Sequence, residues 1–264
     1  MTESSEILRD DIVTVLKCEQ MAALLGRAPP RLRDELPLLW HWLFAGDAVP
    51  HARLGPDGHA DTKDLPIDVS RHHRMWASGE VRFIRPLIIG EGVRRRSRIR
   101  DIATKEGRSG SMIFISYEHL LDGPEGPALQ ELQTLVYRET VAKSAGEAPP
   151  DHPIDAAPDA MSFDDLSLFR YSALTFNSHR VHLDRDYCNR TYSDRRLVVH
   201  APLLATLLAE AAAANGPKIR RFAYRAVAPT REDEPVQAKV AKDGVHCELS
   251  GCDGKLRMTA IAER

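Results

Sequence analysis

The stretch LVVHAPLLATLLAEAAAANG, residues 197–216, carries the strongest helical signal in the chain. Pro202 suits an opening position, because the N–H it lacks is one that a helix start leaves unpaired anyway. From Leu203 to Ala214 every residue is Leu or Ala except Thr206 and Glu210. A helix with so little polar face must be wrapped by other structure. Leucine supplies bulk there, and alanine lets a neighbouring backbone come close.

The residues after the helix supply a wrapping. KIRRFAYRAVAP (218–229), PVQAKVAK (235–242), GVHCELSG (244–251) and KLRMTAIAE (255–263) read as four extended runs. The first half of the chain holds four more: EVRFIRPLIIG (80–90), VRRRSRIRDIAT (93–104), GSMIFISYEHLL (110–121) and ALQELQTLVYRE (128–139). Turn residues separate them at Gly90-Glu91-Gly92, Glu106-Gly107-Arg108 and Asp122-Gly123-Pro124. The segment AKSAGEAPPDHPIDAAPD (142–159) has four prolines and no periodicity, and reads as a linker. We therefore expect an α+β protein with a double hot-dog architecture, two antiparallel sheets joined into one and wrapping a long central helix. The expected division is residues 1–141, a linker over 142–160, and residues 161–264.

Earlier features fit around this frame. A short helix is expected from Thr14 as N-cap to Leu25, with Gly26 just past its end. PLLWHWLF (37–44) is apolar on nearly every side and should be buried. Residues 46–78 are rich in Gly, Pro, Asp and His without a sustained period, and so long a segment usually lines or covers a site. Arg94, Arg96, Arg98 and Arg100 alternate along one run. They form either a solvated strand face or a docking surface for the phosphates of a charged ligand.

Composition narrows the classes. The chain has 264 residues, 43% hydrophobic and 28% charged, with a formal net charge of −2, which argues against a nucleic-acid binder. No apolar run reaches membrane-spanning length, and MTESSEILRDDIV at the N-terminus is polar and acidic, so a cytoplasmic protein without membrane association is expected. Cys18, Cys188, Cys247 and Cys252 match no common zinc or redox spacing, and are expected as reduced thiols. No HExxH-type pattern accompanies the eleven histidines, so no metal site is expected.

Upstream of the long helix lies FRYSALTFNSHRVHLDRDY (169–187), where Asn177, His179, His182 and Asp184 fall two or three residues apart. The helix-like spacing of Phe169, Ala173 and Leu174 gives way to an irregular turn after Phe176, the kind of segment that carries catalytic side chains on a rigid scaffold. His200, just before the long helix, reads most simply as a cap. Arg170 and Tyr171 read as packing or surface residues.

The second half resembles the MaoC-like (R)-specific enoyl-CoA hydratases, whose motif places an Asp, an Asn two residues on and a His three beyond that before the central helix. Here those places hold Asn177, His179 and His182. The string YSALTFNSHRVHLDRDY followed by LVVHAPLLATLL is similar to the hydroxyacyl-thioester dehydratase type 2 branch, which also carries Asn at the first place. PLLWHWLF, LGPDGH, HRMWASG and SRIRDIATKEGRSG extend the likeness into the first half. The resemblance implies a carbon–oxygen lyase that adds water to a 2-enoyl thioester. One catalytic motif would serve an intramolecular pseudo-dimer, itself a candidate for homodimerisation. No cofactor is implied, since coenzyme A is part of the substrate.

Such a reaction needs a base for a water proton, an acid for the α-carbon, and donors for the thioester oxygen. His182 is the expected base. Asn177 would hold and orient the water, while His179 or Asp184 would orient His182 or share proton transfer. The oxyanion donor would be the N–H of Ala201 or Leu203 at the helix start. The pattern is similar to hydratases of short branched dicarboxylic enoyl-CoAs, mesaconyl-C4-CoA and itaconyl-CoA, which give citramalyl-CoA. A free carboxylate entering a closed pocket needs a cation or strong donors. Arg170, Arg180, His72, His73 and Arg74 are the candidates. Two other readings are a 3-hydroxyacyl-thioester dehydratase of fatty-acid synthesis and a non-catalytic acyl-CoA-binding protein.

Overall fold

A computed structural model describes residues 6–70, 72–107, 110–139, 159–214 and 216–264. The linker expected over 142–160 lies outside the described residues except for Asp159 and Ala160, and so does Arg108 of the expected turn. Among the described residues nine strands form one antiparallel sheet: β1 (Ile7–Ile12), β2 (His72–Phe83), β3 (Gly92–Gly107), β4 (Gly110–Gly123), β5 (Gly126–Glu139), β6 (Arg221–Ala226), β7 (Val236–Val240), β8 (His246–Gly251) and β9 (Leu256–Glu263). Their order across the sheet is β1-β3-β4-β5-β2-β6-β9-β8-β7. The first-half strands end at β2 and the second-half strands begin at β6, paired from Ser78 opposite Arg225 to Arg82 opposite Arg221. Two hot-dog sheets are thereby fused along one ladder.

The helices are α1 (Val15–Leu25), α2 (Asp165–Thr175), α3 (Arg185–Tyr192) and α4 (Ala201–Ala213). Thr14 and Gly26 bracket α1, and Gly26 takes φ +65° while its N–H returns to the Ala22 carbonyl. That left-handed ending costs glycine little. α4 packs against β6, β7, β8 and β9. Leu203, Ala205, Leu208, Ala209 and Ala212 have no solvent exposure, as the wrapped-helix argument requires. Pro202 occupies the second helical position, since the helix opens one residue earlier at Ala201.

The first half is built differently. β3, β4 and β5 run for 16, 14 and 14 residues, and their inner face carries Arg95, Ser97, His119, Glu131 and Gln133 beside a cavity of about 1320 Å³. Glu131 is 2% exposed and accepts hydrogen bonds from Trp42 Nε1 at 2.9 Å and Tyr224 Oη at 3.5 Å, with His41 Nε2 at 3.3 Å. A buried carboxylate is tolerable only with such partners. Because Tyr224 belongs to β6 and also stacks on Trp76 of β2 (centroids 4.3 Å apart), the cluster clamps the seam between the halves.

Several sequence expectations need correction. The first long strand begins at His72 rather than Glu80 and stops at Phe83; a register shift between Trp76 and Ser78 breaks the alternation that would have revealed it. β1 and α3 were not anticipated. Three of the four stripe arginines are paired by neighbouring strands, Arg94 with Asp10, Arg96 with Asp122 and Arg98 with Glu118, while Arg98 and Arg100 also line the cavity. From Arg94 to Arg98 the stripe is a salt-bridged sheet face. Arg95, between them in sequence, turns inward and pairs with Asp47.

Candidate active site

α2 ends where Phe176 adopts a left-handed conformation (φ +51°), which turns the chain out of the helix toward Asn177. Asn177 Oδ1 accepts the His179 N–H at 3.0 Å, an Asx turn that fixes the next two residues. A single 3-10 turn over Arg180–His182 follows, then α3. Local chemistry alone thus sets the spacing of the motif.

His182 is buried and its Nδ1 lies 2.6 Å from the Val198 carbonyl. A carbonyl only accepts, so Nδ1 carries the proton and Nε2 is left as an acceptor. Its ring stacks on His200 with centroids 3.6 Å apart, and His200 Nε2 meets Ser172 Oγ at 2.9 Å. His179 stands edge-on to His182 at 5.3 Å. Burial holds all three imidazoles in the neutral form: His182 falls to about 4, and His179 and His200 lie well below the ordinary value.

A fourth imidazole comes from the other half of the chain. The His59 ring packs at a 34° tilt against His179 with centroids 3.9 Å apart, and its Nδ1 lies 3.1 Å from Asp57 Oδ2. The Asp57–His59 segment is pinned to the motif by three features. Arg180 N–H donates to the Asp57 carbonyl at 2.8 Å, and Ser178 Oγ–H to the Gly58 carbonyl at 2.6 Å. Gly58 itself takes φ +86°, and a Cβ there would stand 2.0 Å from the Ser178 carbonyl oxygen. Burial, with the nearby charge of Arg74, lowers His59 to about 4, against the pull of Asp57. Burial opposes ionisation of Asp57, but the His59 hydrogen bond and the Arg74 charge bring it down to about 2.

The residues expected at the site divide into two groups. Asn177, His179 and His182 are brought together, and Asn177 lines the large cavity with Gly58, His59 and Arg74. Asp184 is placed elsewhere in function: one carboxylate oxygen caps α3 through the Tyr187 N–H (2.8 Å) and the other pairs with Arg180 (3.0 Å). Its expected catalytic role gives way to a capping one. Arg170 and Arg180 are exposed and solvated, and neither lines the cavity, whereas Arg74 does. His73, next to Arg74 on β2, sends its ring toward Tyr192, with centroids 6.5 Å apart. His72 keeps a buried Nδ1 without a partner. Ala201 and Leu203 occupy the first and third positions of α4, where N–H groups have no intrahelical acceptor. The Leu203 side chain itself is buried in the core.

Sequence reasoning passed over Asp57 and His59, although LGPDGH was in view. Only the tertiary docking of that turn shows their place. Asp57, His59 and His179 present ligand atoms within 4.8 Å of one another, a set that could approach one cation. Asp57 and His59 are already hydrogen-bonded to each other. The cysteines Cys18, Cys188, Cys247 and Cys252 are all free thiols, and none belongs to the site. No described helix is long and apolar enough to cross a membrane.

A fused pair of hot-dog sheets with a histidine-rich motif before a buried helix defines a class of thioester hydratases and dehydratases. The sequence profile of that class, hydroxyacyl-thioester dehydratase type 2, matches residues 39–232, and the chain belongs to this family. It is 36% identical to the mesaconyl-C4-CoA hydratase of Chloroflexus aurantiacus, covering 98% of this chain and 95% of that one. The mitochondrial hydroxyacyl-thioester dehydratase type 2 of Schizosaccharomyces pombe is 25% identical, over 78% of this chain and 77% of its own. Among solved structures, HtdX of Mycobacterium tuberculosis superposes with a TM-score of 0.69 at 14% identity, covering 98% of this chain and 99% of that one.

Proposed function

We propose that this protein hydrates the double bond of a short branched dicarboxylic enoyl-CoA, mesaconyl-C4-CoA or itaconyl-CoA, to citramalyl-CoA, in a reversible reaction. The observation that carries the reading is a set of charged and polar side chains on the mixed inner face of the first-half sheet. The cavity wall there sets Arg74, Arg95, His119 and Gln133 among Ile99, Leu121 and Leu135, polar groups that a long alkyl chain alone would leave without partners. The free carboxylate of the acyl group would find Arg74 close to the motif. Exposed Phe169, Phe176 and Leu183 at the same cavity suit the thioester's pantetheine arm. The near full-length likeness to a mesaconyl-C4-CoA hydratase favours this substrate over a fatty-acyl one.

His182 and Asn177 hold the attacking water in this reading, with the free Nε2 of His182 accepting one of its O–H bonds. Enolate charge on the thioester oxygen falls at the start of α4, where the helix dipole favours it. The test compares kcat/KM for mesaconyl-C4-CoA and itaconyl-CoA with that for crotonyl-CoA and a long-chain enoyl-CoA. A dicarboxylic preference is expected, with His182→Ala losing roughly 10²–10⁴-fold in kcat. Preference for the long chain would replace this reading with a fatty-acyl dehydratase, and no turnover on any of them with an acyl-CoA binder.

A further inference from the structure

With His182 Nε2 accepting from the O–H that the product keeps, the motif leaves one chemical need unmet. Hydration requires a group that accepts a proton from water and delivers one to the α-carbon, and Asn177, an amide, exchanges protons with neither. Four imidazoles gather at the motif, and of these four only His59 both lines the cavity and touches a carboxylate. Asp57 is ionised and accepts only, so His59 Nδ1 carries the proton and Nε2 is the basic nitrogen. A carboxylate holding one face of an imidazole so that the other can take a proton is the arrangement that orients general bases elsewhere. The docking contacts of Gly58, Ser178 and Arg180 fix the pair against the motif rather than leaving it on a free loop.

We propose that His59, oriented by Asp57, is the proton-transferring residue of the hydration, contributed by the first half to a site whose water-binding motif lies in the second. The proposal rests on the hydratase reading above. As the water oxygen bonds to the β-carbon, its O–H bond breaks and the proton passes to His59 Nε2. The π pair moves onto the thioester oxygen as an enolate. The enolate then re-forms the carbonyl, and its α-carbon takes that proton back from His59. The product keeps the other O–H, and the enzyme ends as it began. Asp57 is a positioning residue that also stabilises the transient imidazolium.

Wild-type protein, His59→Ala and His59→Phe are assayed for hydration of the enoyl-CoA panel, with and without added imidazole. The Phe variant keeps a ring against His179 but has no basic nitrogen. Both variants are expected to lose at least roughly 10²-fold in kcat with KM within about threefold. Imidazole should restore the Ala variant in proportion to its free-base concentration, a response that a merely structural role would not give. Turnover within about threefold of wild type in either variant overturns the assignment while leaving the hydratase reading intact. Wild-type protein inert on the whole panel overturns the hydratase reading, and the role of His59 with it.

Discussion

At the scale of single residues, the cluster of buried imidazoles has a cost in acid. An imidazole with an ordinary value near 6.5 when unfolded and about 4 when folded binds its proton more readily in the unfolded state. Stability from such a group is fully present above about pH 6.5 and is lost as pH falls toward 4. His59 and His182 should each forfeit on the order of 3 kcal/mol across that interval. Denaturant unfolding at pH 7 and pH 5 should therefore show a steep acid loss, flattened in His59→Gln and His182→Gln by up to about 1.4 kcal/mol per pH unit. Identical slopes in the wild type and both variants would show that these rings are not neutral by burial. None of this was visible in the sequence, where a histidine's burial cannot be read from its neighbours. Asn177, His179 and His182 were legible because an Asx turn and one 3-10 turn are local chemistry. Asp184 misled for the same reason, since the spacing that suggests catalysis also makes a helix cap.

At the scale of elements, helices were the more legible. Thr14 and Gly26 mark α1 within a residue, and the Leu/Ala run of α4 announces both its position and its burial. β2 was displaced because the bulge between Trp76 and Ser78 breaks its period, and β1 is too exposed and charged to show one. The turn at Gly58 is the element on which the site most depends. Gly58→Ala must adopt a left-handed backbone and meet the Ser178 carbonyl oxygen, so the segment should lift from the motif. Activity should fall at least tenfold, while overall stability changes by only about 1–3 kcal/mol, as for strain confined to a surface turn. Thermal unfolding run beside the hydration assay would check this, and an active Gly58→Ala would mean that the docked turn is dispensable.

For the whole molecule, the two halves share a sheet but divide the labour. The second half wraps α4 and carries the motif; the first leaves its inner face open on a cavity. Arg74, on the β2 strand that forms the seam, faces that cavity from the first half. Arg74→Gln should lower kcat/KM for a dicarboxylic enoyl-CoA by roughly tenfold to 10²-fold, the scale of one charge-assisted hydrogen bond. Crotonyl-CoA, which carries no free carboxylate, should lose much less, through the effect of the Arg74 charge on His59 alone. Equal losses on both substrates would assign Arg74 a structural role.

The β2–β6 ladder has one more consequence. Were the same sheet assembled from two identical chains, a twofold axis would run through the seam, and every wall of the pocket would appear twice. Placing the seam within one polypeptide removes that symmetry. One side is then free to keep a close-packed helix while the other hollows out and gathers charge, and a substitution alters a single wall without its mirror image.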